Sequence, residues 1–280
     1  MEKPYLGAKI LNMKNPILIA MMLFYCVAAN AEIKKVVKSV RYEYEINNSD
    51  SSEFGIKRWY PHDMDECAFN MCLMNDKLYI LDASYKNVKM IDINTGKKIT
   101  SQTYIDKNGG IYAYNGYVLC CDNGRGGVTI FDTLLQNRQH YLNPDWKAIW
   151  IEEYEGNLYL VTKKTKVINN ETYYECFSLD GFDINNPVYF QKAPNAEKDR
   201  VLESVWTKGR SFCTACNFKK NVNEDGTITI LALGSSYEYP YDIPELIGDN
   251  ATGYNLFVAK DKIAYFNIVG QKFIVEIYYY

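Results

Sequence analysis

One strand-turn-strand text recurs along this chain of 280 residues, and its spacing restricts the folds open to it. Asn75-Asp76-Lys77-Leu78-Tyr79-Ile80-Leu81-Asp82 aligns with Asn115-Gly116-Tyr117-Val118-Leu119-Cys120-Cys121-Asp122, so that the closing aspartates stand 40 residues apart. The same offset lays Lys89-Met90-Ile91-Asp92 on Thr129-Ile130-Phe131-Asp132 and carries Asp122 onto Thr162, at the end of Gly156-Asn157-Leu158-Tyr159-Leu160-Val161-Thr162. Two looser copies follow. The fourth is Ser211-Phe212-Cys213-Thr214-Ala215 with Thr227-Ile228-Thr229-Ile230-Leu231, its hairpin loop expected over residues 221–226; the fifth is Asp261-Lys262-Ile263-Ala264-Tyr265-Phe266-Asn267 with Phe273-Ile274-Val275-Glu276. Each unit reads as apolar strands separated by polar turns such as Asn94-Thr95-Gly96-Lys97, which is the pattern of a four-stranded meander. A sheet this small cannot hide both faces alone. Units repeating every ~40–50 residues meet that need by standing side by side, so the expected fold is all-β, a propeller of about five four-stranded blades.

The fifth unit runs out of chain after its third strand, at Tyr280. Val40-Arg41-Tyr42-Glu43-Tyr44-Glu45-Ile46 alternates apolar and polar residues at the strand period of two, and is expected to complete the last blade and remove an exposed sheet edge. Six blades or a β-sandwich are the alternatives. The text from Asp76 to Asp82 and from Lys89 through Thr95-Gly96-Lys97 resembles the repeats of the NHL, YVTN and quinoprotein-like propeller superfamily. The resemblance covers most of residues 67–280 and is closest in the first unit. The Trp that quinoprotein repeats carry after Thr-Gly-Lys is missing here, so no cofactor is expected.

Composition narrows the partners. A formal net charge of −3 provides no field to hold a polyanion, which argues against nucleic acid. Lys14 precedes an apolar run over residues 16–29 that ends in Ala29-Asn30-Ala31, a small-x-small cleavage pattern. Residues 1–31 therefore read as a signal peptide, with Met13 an alternative start, and residues 32–280 as the propeller domain. The run is shorter than the ~20 residues a membrane-spanning helix needs, so no transmembrane segment is expected after cleavage. The product would be secreted, periplasmic or held at the cell surface. Seven cysteines remain beyond the signal, Cys120 and Cys121 being strand neighbours that must face opposite ways. Buried structural thiols are the default reading, and no metal site is expected, because neither Cys213-Thr214-Ala215-Cys216 nor Cys67, Cys72 and His62 has a second pair at zinc spacing.

Chemistry would sit where innermost strands meet the channel mouth. Those strands are expected near residues 68–74, 110–114, 148–154, 202–206 and 254–259. Paired carboxylates serve glycoside hydrolysis as acid and base or nucleophile, which makes Glu152, Glu153 and Glu203 the catalytic candidates. Trp59, His62, Asp63, Trp150 and Trp206 are the ligand-binding candidates, since aromatic faces stack on sugars and anchor protein contacts. Trp150 and Trp206 also occupy comparable positions in neighbouring units, where packing between blades is the plainer role. The recurrent Asp82, Asp92, Asp122 and Asp132 are expected to accept hydrogen bonds from turn N–H groups. The chain reads as an exported, non-catalytic binding or scaffold module with a protein or glycan partner. A carbohydrate-active hydrolase or lyase is the alternative.

Overall fold

The computed structural model describes residues 35–55, 69–82, 84–102, 105, 108–122, 127–136, 138–142, 147–165, 172–179, 191–207, 218–222, 228–232, 240–242, 256–259 and 261–280. The signal-peptide reading of residues 1–31 lies outside them. What is described is all-β, five small antiparallel sheets and one helix. A leading strand, β1 (Lys38–Glu45), precedes the first sheet of β2 (Phe69–Met74), β3 (Lys77–Asp82), β4 (Asn87–Asp92) and β5 (Lys98–Thr100). The second sheet holds β6 (Asn108–Tyr114), β7 (Tyr117–Asp122), β8 (Gly127–Asp132) and β9 (Arg138–Leu142). The third holds β10 (Lys147–Tyr154), β11 (Asn157–Thr165), β12 (Thr172–Ser178) and β13 (Gln191–Lys192). Helix α1 (Asn195–Thr207) leads to the fourth, of β14 (Phe218–Val222), β15 (Ile228–Ala232) and β16 (Pro240–Asp242). The fifth is built from β17 (Leu256–Val258), β18 (Lys262–Val269) and β19 (Lys272–Tyr279).

Strands follow one another as meanders, and two-residue turns join β2 to β3, β6 to β7, β10 to β11 and β18 to β19. Asn115 and Gly116, and Glu155 and Gly156, all have positive φ, the backbone hand that matches the twist of the flanking strands. The fifth sheet takes its fourth strand from the other end of the chain, as the alternation in residues 40–46 led us to expect. β1 pairs antiparallel with β19 from Lys38 opposite Tyr279 to Glu45 opposite Lys272.

The period-two geometry of the middle strands explains why their sequences are nearly all apolar. Leu78 and Ile80 face a cluster shared with Phe266, Phe273, Val275 and Ile277 of the fifth sheet. Tyr79 and Leu81 face the other way, toward Ile111, Val118, Cys120 and Phe131 of the second sheet. Leu119 and Cys121 in turn meet Ile151, Leu158 and Leu160 of the third. Each of these sheets is buried on both faces, so polar alternation is absent where neighbours cover both sides. Cys120 and Cys121 do point to opposite cores. The leading strands of successive meanders touch, β17 against β2, β2 against β6 and β6 against β10.

The fourth unit departs from expectation. Residues 202–206, read as a strand, lie in helix α1. Pro194 opens it, its carbonyl accepting from the N–H groups of Glu197 at 3.0 Å and Lys198 at 2.8 Å. Ala196, Glu197, Lys198, Arg200, Leu202 and Glu203 are strong helix formers uninterrupted by glycine or proline. Val201 is fully buried beside Trp150, Tyr159, Val161 and Cys176, so the helix covers the third sheet's outer face. Five residues of mixed apolar character are too short to distinguish the two periods. Residues 211–217 lie outside the description; β14 runs to Val222, past the start of the expected loop at 221, and three strands of this sheet are described.

Candidate functional site

The candidates among the described residues lie on β10 and α1. Trp150 and Glu152 stand two residues apart on β10 and share a face. The Trp150 ring lies against Gly110 of β6 so closely that a Cβ there would come within 2.6 Å of it. Trp150, 6% exposed, thus packs against the second sheet at Gly110 while lying in the cluster that Val201 of α1 covers. Its indole N–H donates to Glu152 Oε2 at 3.0 Å, while Ser204 Oγ of α1 donates to Glu152 Oε1 at 3.2 Å. Glu152 itself has no exposed surface. A carboxylate sealed in this way serves as an internal anchor for the helix, and no sugar ring can reach it.

Glu203 lies on the exposed face of α1, one residue from Ser204. Glu153 follows Glu152 on β10, opposite Leu158 of β11, and its side chain lies outside the description. Trp206 falls in α1 rather than on a strand, so it does not occupy the place of Trp150; its side chain too lies outside the description. Trp59, His62 and Asp63 are outside the described residues.

Sequence reasoning missed other buried polar residues of the third sheet. Glu175 of β12 is buried and sits against Lys192, with Lys198 Nζ 3.9 Å from its other oxygen. Tyr159 donates its hydroxyl to Glu197. Burial pushes the neighbouring Cys176 thiol up to about 12, with the Glu175 charge adding to it, so this sulfur stays protonated and is a poor nucleophile at neutral pH. Among the described residues no group of three or more His, Cys, Asp or Glu is placed to hold a metal ion.

Three of the four recurrent aspartates, Asp82, Asp92 and Asp132, cap turns; the side chain of Asp122 lies outside the description. Asp92 Oδ1 accepts from the N–H groups of Asn94 and Thr95, both at 3.0 Å, and Asp132 Oδ1 from those of Leu134 at 2.9 Å and Gln136 at 2.8 Å. Asp82 does the same for Ser84 at 2.9 Å, but its second oxygen also meets the buried Lys89 ammonium at 2.9 Å. That pair was legible in principle: Lys89 stands between Val88 and Met90 in a buried strand, and a charge buried there must find a partner.

No family model matches the chain, and no curated protein matches it. Among solved structures it is similar to the computationally designed Ika4 protein, at 8% identity over 65% of this chain and 100% of that one, with a TM-score of 0.31. It is also similar to a luciferin-regenerating enzyme, at 7% identity over 86% and 96% of the two chains and a TM-score of 0.35. Hydrazine synthase of Kuenenia stuttgartiensis matches at 11% identity over 69% of this chain and 48% of that one, with a TM-score of 0.33. Likenesses this distant carry no statement about activity.

Proposed function

We propose that this chain is an exported, non-catalytic binding module, built as a closed ring of five blades, that engages a protein or glycan partner at the channel mouth. The ring is supported by the burial of successive sheets against one another and by β1, which joins the two ends of the chain in one sheet. Export is supported by the apolar run ending in Ala29-Asn30-Ala31. The observation that carries the binding reading is the state of Glu152. Glu152 is buried and already has Trp150 and Ser204 as donors, and Glu203 is exposed on α1. An acid and a base acting across one glycosidic bond must instead share a pocket, ~5–10 Å apart.

The test is to present the purified chain with a panel of glycans and to measure both retention and release of reducing ends. Retention without cleavage is the expected result. Cleavage that disappears in E203Q or E153Q would overturn the reading in favour of the hydrolase. An experimental map showing two stacked sheet layers in place of five sheets around one axis would overturn the ring.

A further inference from the structure

Between β1 and the first sheet the chain makes a compact excursion over residues 46–55. Its ends meet, since Ile46 bridges Phe54 and the Asn47 N–H donates to the Phe54 carbonyl at 2.9 Å. Phe54 has no exposed surface and stacks on Phe273 of β19 with ring centroids 3.8 Å apart. One ring thus touches the last sheet. It also lies against Tyr44 of β1, ring centroids 5.7 Å apart, and it meets the first sheet: Lys89 Nζ lies 5.3 Å from the Phe54 centroid and 5.2 Å from that of Tyr85, and Lys98 Nζ lies 5.3 Å from Phe54.

The Lys89 ammonium is completely enclosed. Asp82 Oδ2 accepts from it at 2.9 Å and Asn87 Oδ1 at 2.7 Å, and the two aromatic rings form further walls. These are the elements of an aromatic cage for a cation. Every wall is also tied to the excursion. Asp82 Oδ2 accepts from the Gly55 N–H at 3.1 Å, Tyr85 donates its hydroxyl to the Asn47 carbonyl, and Asn87 Nδ2 donates to the Ser51 carbonyl at 3.0 Å. Lys98 pairs with Glu53, and Thr100 Oγ1 donates to the Ser52 carbonyl at 3.2 Å. Gly55 can be no larger, because a Cβ there would meet the Tyr85 ring at 2.7 Å.

The repeat supplies a comparison within the molecule. The second sheet keeps the aspartate, Asp122, at the position of Asp82, but places Thr129 where the first has Lys89. The buried lysine occurs in the sheet that the excursion crosses.

We propose that residues 46–55 are a strap across the seam between the last and first sheets, locked by the Lys89 ammonium in a cage that Phe54 completes, so that strap and cage open together. Unlocking would free β1 and the strap as one unit and expose the edge of β19, while the second and third sheets stay folded. This device does not depend on what the chain binds.

The experiment is hydrogen exchange read by mass spectrometry on the full chain, comparing wild type with K89A and with the milder F54L. Amides in residues 38–55, 87–92 and 272–279 are expected to exchange together at least about tenfold faster in each variant, with residues 117–132 and 157–163 unchanged. Added n-butylammonium should restore protection in K89A by refilling the cage, and n-butanol should not. Unchanged exchange over 38–55 in F54L would overturn the proposal, as would an equal rise in every sheet. Equal rescue by the alcohol would overturn the cage by assigning the effect to cavity filling alone.

Discussion

Replacing Lys89 by Met tests what the buried pair contributes. Both side chains of the Lys89–Asp82 pair are 0% exposed, with Nζ and Oδ2 2.9 Å apart. Burial holds the lysine below its ordinary pKa, and the Asp82 charge opposes that shift without abolishing it. Met keeps most of the stem's packing and removes the charge. The Asp82 carboxylate then stays enclosed without its counter-ion, a change that costs ~3–5 kcal/mol in buried pairs. Three backbone donors, from Gly55, Ser84 and Tyr85, still serve that carboxylate, which places the expected loss near the lower end, about 3 kcal/mol. D82N alone strands the ammonium and should cost a similar amount. In the double variant neither charge remains, and the loss should fall well short of the sum, a coupling of about 2 kcal/mol or more. Urea unfolding of the four proteins at pH 7 measures this. A K89M loss below about 1 kcal/mol, or strictly additive losses, would refute the reasoning that the pair is enclosed and interdependent.

Three other outcomes follow from the same contacts. G110A should displace the Trp150 ring, shift its fluorescence to the red and lower stability by ~1–3 kcal/mol; unchanged emission would show that the ring does not rest on that glycine. Burial raises the phenols of Tyr44, Tyr79 and Tyr278 above the ordinary 10.0, so the fold favours their protonated forms; their contribution is complete below pH 10 and lost as pH climbs beyond it, whereas Lys89, shifted down from 10.5, adds stability as pH rises toward that value. A pH series of urea midpoints should therefore decline above pH 10, and decline more steeply in K89M. The thiols of Cys72 and Cys176, both buried and raised in pKa by burial, should resist a disulfide reagent in the native chain and react after unfolding; fast native labelling would contradict their burial.

The strands, their turns and the meander order could be read from residues alone, because those features are local. Asn115-Gly116 adopts the turn it does whatever lies across the sheet, and the alternation in residues 40–46 marks a strand wherever it docks. The repeat carried the reading further, since a unit with two apolar faces must have neighbours. Where local signals were short or degenerate they misled: residues 202–206 lie on a helix because Pro194 starts it and a buried Val201 fastens it, both settled beyond those five residues.

The fate of the polar groups belonged to the tertiary structure. Glu152 and Glu203 are both glutamates near the end of an apolar run, and nothing local says that one will be sealed beneath a tryptophan and a serine while the other meets water. Nor does the text around Lys89 reveal that Phe54, 35 positions earlier, will close over it. Backbone conformation is a preference each residue carries with it. Burial and charge pairing depend on which distant surfaces meet, and that exists only in the assembled fold.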